Sequence, residues 1–173
     1  MSNKVTLDEF ESTGDPMLDD NFEIIFSGMP GGLDGAKSLR IHVKTAVLPG
    51  VTIDEVMKEA FGYQLRYAGR KTWSGSFQLE LNENHEAKIL KLLRKWSQIM
   101  RSTSKGTGKF KKEYAATATM NILDQTGAVV DTTEIRGVWP SQVPDYQFSG
   151  AAQAIPCSVD FKFDYTVDDD DTA

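Results

Sequence analysis

A mainly β fold, two antiparallel sheets forming a sandwich or barrel with one flanking α-helix, is predicted by three features of the sequence. Apolar and polar residues alternate with a period of two through most of the chain, the signature of strands with one buried face. One stretch near the middle switches to the 3.6-residue period of an amphipathic helix. The closing series Ile155, Cys157, Val159, Phe161, Phe163, Tyr165 and Val167 alternates without a break against Pro156, Ser158, Asp160, Lys162, Asp164 and Thr166.

Residues 1–20 carry Asp8, Glu9, Glu11, Asp15, Asp19 and Asp20 with little periodicity and read as an N-terminal arm. Residues 168–173 open on the run Asp168 to Asp171 and read as an acidic tail, leaving 21–167 as one β-domain. Phe22, Ile24 and Phe26 alternate with Glu23 and Ser27 up to Gly28-Met29-Pro30-Gly31-Gly32, which predicts a first strand and its turn. Leu39, Ile41 and Val43 alternate with Arg40, His42 and Lys44 and predict a second strand, closed by Leu48-Pro49-Gly50. After a less regular stretch, Phe61, Tyr63, Leu65 and Tyr67 mark one strand, and Trp73, Phe77, Leu79 and Leu81 mark the next.

From about residue 84 to 101, Ile89, Leu92, Leu93, Trp96, Ile99 and Met100 fall on one helical stripe, with Asn82 or Asn84 placed to cap it. Lys88, Lys91, Arg94 and Lys95 make its outward face. Gly106 and Gly108 mark a basic loop over 102–112. Tyr114 to Ile122 and Val129 to Val138 flank Asp124-Gln125-Thr126-Gly127 as a hairpin. A closing strand of about 12 residues would run about 40 Å, roughly twice the usual length, which suits a barrel or an extended wall.

A chain of 173 residues can bury roughly 70% of its unfolded surface in one domain, and its 40% of hydrophobic residues supply a core. No apolar run approaches the roughly 20 residues of a membrane span, and Met1-Ser2-Asn3-Lys4 does not open a signal peptide, so folding in a cytoplasm is expected. Cys157, the single cysteine, cannot make an internal disulfide and lies in an apolar series as a packing residue. The formal net charge of -6 opposes general binding to phosphates.

No pattern carries chemistry. One cysteine with His42 and His85 gives no zinc spacing, and Asp168 to Asp171 lack the glycine turn and closing glutamate of a calcium loop. Gly106-Thr107-Gly108-Lys109 fails as a phosphate loop: Thr103 replaces the first glycine, Phe110 stands where a hydroxyl would meet magnesium, and the string follows a helix instead of opening one. There is no Gly-x-Ser-x-Gly elbow. Trp73, Trp139, Tyr63 and Tyr67 would suit a sugar platform, but Trp73 is in phase with a buried series and Trp139 ends a strand before Pro140. The expectation is a self-assembling structural subunit with no cofactor, metal or catalytic residue.

Three segments, taken in order, resemble the tail tube proteins of contractile-tailed bacteriophages, relatives of contractile bacteriocin tubes and the type VI secretion ring. The first is Leu48-Pro49-Gly50-Val51 leading into a long irregular connection. The second is Tyr67-Ala68-Gly69-Arg70-Lys71-Thr72-Trp73 and the strand after it, ahead of the helix that ends near Trp96. The third is Gly137-Val138-Trp139-Pro140, followed by the closing strand through Val159 and Tyr165. The likeness spans about Phe22 to Val167.

The resemblance implies hexameric rings stacked into a hollow tube, with strands of neighbouring subunits joined into an inner barrel that protects their edges. It implies that the arm and residues 47–68 reach the next ring, making Leu48, Pro49, Val51, Ile53, Val56, Phe61 and Tyr63 candidates for inter-ring contact. Trp73, Trp96, Trp139, Phe161 and Phe163 are candidate core or inter-subunit anchors. Gln78, Glu80, Thr117, Thr119, Ser158 and Asp160 are candidates to line the lumen, because a lining poor in arginine lets DNA slide past.

The implied partners are further copies of the chain, the tail sheath protein, and the baseplate and tail terminator proteins. DNA would be met only in transit, and no membrane is involved. The implied place is the virion tail, assembled in the host cytoplasm. The acidic arm and tail have no counterpart in the resemblance. Two other readings stay open: the ring protein of a type VI or bacteriocin-like injection system, and a monomeric ligand-binding β-sandwich.

Overall fold

The computed structural model describes residues 17–33, 35–148 and 155–169. The arm up to residue 16 and the tail beyond residue 169 lie outside the described residues. The elements run β1 (Phe22–Ser27), α1 (Ala36–His42), β2 (Val43–Ala46), β3 (Val51–Ala60), β4 (Tyr63–Trp73) and β5 (Ser76–Asn82). They continue with α2 (Lys88–Met100), β6 (Ala116–Leu123), β7 (Val129–Pro140), β8 (Pro156–Lys162) and β9 (Tyr165–Asp168).

Two antiparallel sheets result. The larger has the order β1-β6-β7-β8-β5-β2, with β9 also on β7, and the smaller is the β3–β4 ribbon alone. β7 is the seam of the larger sheet. Its earlier residues pair with β6, and Thr133 to Arg136 pair with β9 as well, whereas Trp139 and Pro140 pair with Lys162 and Phe161 of β8. By changing partners along its length, β7 folds the sheet into the two layers of a sandwich. β1 and β2 stay as edges, so the single chain does not close the barrel that the sequence allowed.

The core lies between these layers. Phe77, Leu79 and Leu81 of β5 and Cys157, Val159 and Phe161 of β8 meet Ile24, Phe26, Ile135 and the buried stripe Ile89, Leu92, Leu93 and Trp96 of α2. Aromatic rings hold its centre: Phe161 is stacked on Phe77 at 5.5 Å, and Phe26 lies 5.4 Å from Phe161 and edge-on to Trp96 at 6.5 Å.

Five expectations are corrected. The strand expected at Leu39 to Lys44 is the helix α1 followed by β2. An alternation this short fits either period, and Leu39 is buried while Ile41 is 63% exposed, so they share no buried face. The helix is therefore not the single one foreseen. The long irregular connection is the regular pair β3–β4. The helix α2 begins at Lys88, later than the capping reading placed it, and Asn84 still reaches its first turn: Oδ1 of Asn84 accepts from the backbone N–H of Lys88 at 3.0 Å.

The unbroken closing strand is in fact two strands. β8 pairs with β5, and after Phe163 and Asp164 the chain changes partner and β9 pairs with β7. The break is built by Gly137, whose φ of 73° only glycine adopts without strain, and against whose Cα hydrogen the Asp164 carboxylate packs. Asp164 donates its N–H to the Arg136 carbonyl at 2.9 Å and pairs with Lys111 through its side chain. Gly137→Ala is expected to cost about 1–2 kcal/mol from the left-handed backbone alone, with the carboxylate displaced as well. Urea denaturation of the variant checks it.

Candidate assembly interface

The β3–β4 ribbon stands apart from the sandwich. Phe61 and Gly62 join its strands with φ values of 53° and 80°, the signature of a two-residue type I′ turn, and Ala60 faces Tyr63 across it. A phenylalanine in the left-handed region is unusual, and here its ring is fully exposed at the ribbon tip.

The register sorts the remaining side chains. Ile53 faces Lys71 but Glu55 faces Ala68, so β4 carries one extra residue at this point, a bulge. Gly69 makes the bulge possible: a Cβ there would stand 2.9 Å from the Asp54 carbonyl and 3.1 Å from Val56 Cγ2. Beyond the bulge one face is polar but for Ala68 and exposed Met57. On it Arg66 Nη1 donates to Glu55 Oε1 at 2.8 Å, and Gln64 Nε2 to Glu59 Oε1 at 3.0 Å. The opposite face pairs Val56 with Tyr67, Lys58 with Leu65 and Ala60 with Tyr63. It is apolar but for Lys58, and Tyr63 is 73% exposed and Leu65 45% exposed.

Before the bulge the apolar residues lie on the other side. Val51 faces Trp73 there, with Ile53 next along the strand. Trp73 ties this base to the body, edge-on to Tyr165 at 6.3 Å and donating Nε1–H to Thr166 Oγ1 at 3.0 Å. The base is thus anchored and the distal apolar face is open. A two-stranded ribbon is marginal in water by itself, and a contiguous exposed apolar face marks an interaction surface.

The inter-ring candidates of the sequence divide over this geometry. Val56 and Tyr63 lie on the open apolar face, Phe61 at the tip, and Val51 and Ile53 on the base; Leu48 is exposed and Pro49 is buried. Leu65 and Tyr67 complete the open face. Their alternation was legible, but the bulge that separates them from Trp73 was not.

The lumen candidates divide too. Gln78 faces Asp160 and Glu80 faces Ser158 across β5 and β8, making one polar patch on the outer side of those strands, continued by exposed Lys162. Thr117 and Thr119 lie on β6, opposite Ser27 and Ile25 of β1, with β7 between them and β8. Of the anchor candidates, Trp96, Phe161 and Phe163 are buried, whereas Trp73 and Trp139 are half-buried.

A clamp absent from the sequence reading fixes the helix to the sheet. Glu83, just past β5, accepts the backbone N–H groups of Leu90 at 2.8 Å and Ile89 at 3.0 Å, and the Tyr146 hydroxyl. These are orphan donors at the start of α2, and a carboxylate is the favoured group there. Burial pushes the Glu83 carboxyl up, but the bonds from Tyr146, Leu90, Ile89 and Asn84 together hold it below its ordinary 4.5. Burial and Glu83 push the Tyr146 hydroxyl well above its ordinary range.

Because the folded carboxyl is held below its unfolded value, its contribution is full above pH 4.5 and is lost as pH falls through the lower folded value. Glu83→Gln is expected to lower stability by about 1–2 kcal/mol at neutral pH. The gap from the wild type should narrow below pH 4.5. Thermal melts at stepped pH measure both.

The same fold occurs in contractile injection machines. The sheath/tube terminator of an extracellular contractile injection system in its extended state matches with a TM-score of 0.64 at 11% identity, covering 90% of this chain and 97% of that one. The tube-terminating cap of the anti-feeding prophage matches at 0.62 and 8% identity, covering 90% and 91%. A chain of the extracellular injection system's sheath-tube complex matches at 0.60 and 9% identity, covering 94% and 97%. Among curated proteins none matches the chain by sequence. The chain thus shares the β-sandwich fold of these three proteins.

The chain belongs to the phage tail tube protein family, whose pattern matches residues 17–167. Its role is structural, in a tube.

Proposed function

We propose that the chain is the repeating subunit of a tail tube, six copies to a ring, with the rings stacked around a lumen through which DNA passes at ejection. The observation that carries this reading is the open apolar face of Val56, Tyr63, Leu65 and Tyr67 on a ribbon held only at its base. A neighbouring copy is the surface it fits, since the family builds tubes from repeated subunits. The ribbon is the inter-ring contact of this reading, with Phe61 at its tip, and β1 and β2 are the free edges that neighbours in a ring would cover.

The patch Gln78, Glu80, Ser158 and Asp160 is the proposed lumen lining. Its two carboxylates repel phosphates at the short range left by physiological salt, so DNA passes without being held. Thr117 and Thr119 extend the lining only if the β6 face also turns to the channel. The sheath, baseplate and terminator proteins are the remaining partners, and the assembled particle is a virion tail built in the host cytoplasm.

The second reading, a ring or terminator component of an injection system, is favoured by the fold shared with such terminators. Negative-stain microscopy of the purified protein separates them. Hollow filaments of uniform width support the tube, single stable rings support the second reading, and a monomer at high concentration overturns both.

A further inference from the structure

β7 and β8 share only two ladder pairs, Trp139 with Lys162 and Pro140 with Phe161, before the chain leaves β7. Beyond them residues 141–148 run along β8 without forming a strand. Ser141 continues the register for one step, its N–H and its Oγ each donating to the Asp160 carbonyl at 2.8 Å. Ser158, two residues along from Asp160, turns its backbone N–H and C=O the same way. Among the described residues no backbone bond from 142–148 reaches β8. Pro144 in this segment and Pro156 in β8 have no N–H to give, and a cleft of about 320 Å³ lies between the two.

Side chains hold the segment instead. Val143 and Tyr146 reach past the β8 edge and pack against the core. The Tyr146 hydroxyl donates to Glu83 Oε2 and also meets the thiol of Cys157, which is buried in β8. Glu83 is itself fixed by the N–H groups of Ile89 and Leu90, so one end of the segment is tied to the start of α2 and the other to Asp160. A cover tied at two points needs few bonds broken to come away, whereas a laddered strand would have to break several, and elements with few such bonds open first. We propose that residues 141–148 form a strap, latched by Tyr146 on Glu83, that opens with the sandwich still folded and uncovers the β8 edge and the Cys157 thiol. Closed, the strap keeps an unpaired strand edge from pairing with other chains. The device lies within one subunit and is independent of the tube reading.

Alkylation of the full chain by iodoacetamide tests it, since Cys157 is the single cysteine. The thiolate displaces iodide, and mass spectrometry follows the added group over time at urea concentrations below the unfolding transition. Wild-type labelling is expected to depend on urea with only a small fraction of the slope of global unfolding, because opening the strap exposes little surface. Tyr146→Phe keeps the packed ring and removes the latch. A hydrogen bond to a carboxylate corresponds to about 10–100-fold in the opening equilibrium, and labelling without urea should rise by that factor with the small slope retained. Ser141→Ala, at an exposed position, loosens the other tie and should raise labelling about 2–10-fold in the same way. A merely structural role for either side chain would move only the urea-sensitive part of the rate, and that result would overturn the proposal. Wild-type labelling with the full slope of unfolding would overturn it too, as would labelling rates that coincide in the wild type and both variants.

Discussion

Trp96→Ala is expected to destabilise the fold by about 3–5 kcal/mol, the range for truncating a fully buried aromatic side chain. Trp96 is completely buried on the inner face of α2, edge-on to Phe26 and 6.2 Å from Phe161, so it touches both layers that the helix covers. Its Nε1–H also donates to the Tyr114 carbonyl at 2.7 Å, which pins the start of the 114–123 segment. Alanine would leave a cavity and a partly buried carbonyl without its donor. Urea titration should show a midpoint well below that of the wild type, with the slope retained. Trp96→Phe keeps most of the packing and removes the hydrogen bond, so it should cost less, about 1–2 kcal/mol for the bond. Equal losses in the two variants would refute this division.

Elements set by local pattern were legible in the sequence, and elements set by a partner were not. The stripe Ile89, Leu92, Leu93 and Trp96 has only one period that fits, and the hairpin of β6 and β7 announces its turn at Asp124 to Gly127. The closing segment misled because alternation reports which side a residue faces and not which strand lies beside it. Phe163 stays buried as the chain leaves β5, and Tyr165 then turns 44% exposed beside β7. The cause sits far away in sequence, at Gly137.

The candidate assembly surfaces divide in the same manner. Their apolar content was visible, but the bulge at Gly69 transfers that content from one face to the other between Trp73 and Tyr67, and only the pairing register exposes this. The polar patch likewise needed the register that sets Gln78 opposite Asp160. The clamp at Glu83 had no signal at all, since its donors are backbone groups and a tyrosine 63 residues away.

The double substitution Leu65→Glu, Tyr67→Glu is expected to abolish assembly while leaving the subunit folded. β3 and β4 pair only with each other, and both side chains already face water, so the sandwich core loses nothing. Stacking, by contrast, loses the burial of two large apolar groups, about 2–3 kcal/mol when scaled for their partial exposure in the lone subunit. It would also have to desolvate two carboxylates with no partner, which costs several kcal/mol more. With about 1.4 kcal/mol per tenfold, the concentration needed for assembly should rise at least about 100-fold. Arg66→Glu on the opposite face breaks the exposed pair with Glu55 and sets two carboxylates side by side in water, a change of about 1 kcal/mol, and should assemble nearly as the wild type does. Sedimentation with electron microscopy reads assembly, and circular dichroism with thermal melts reads the fold. Filaments from the double variant at wild-type concentration would remove the ribbon's apolar face from the interface. Failure of Arg66→Glu alone would move the contact to the charged side.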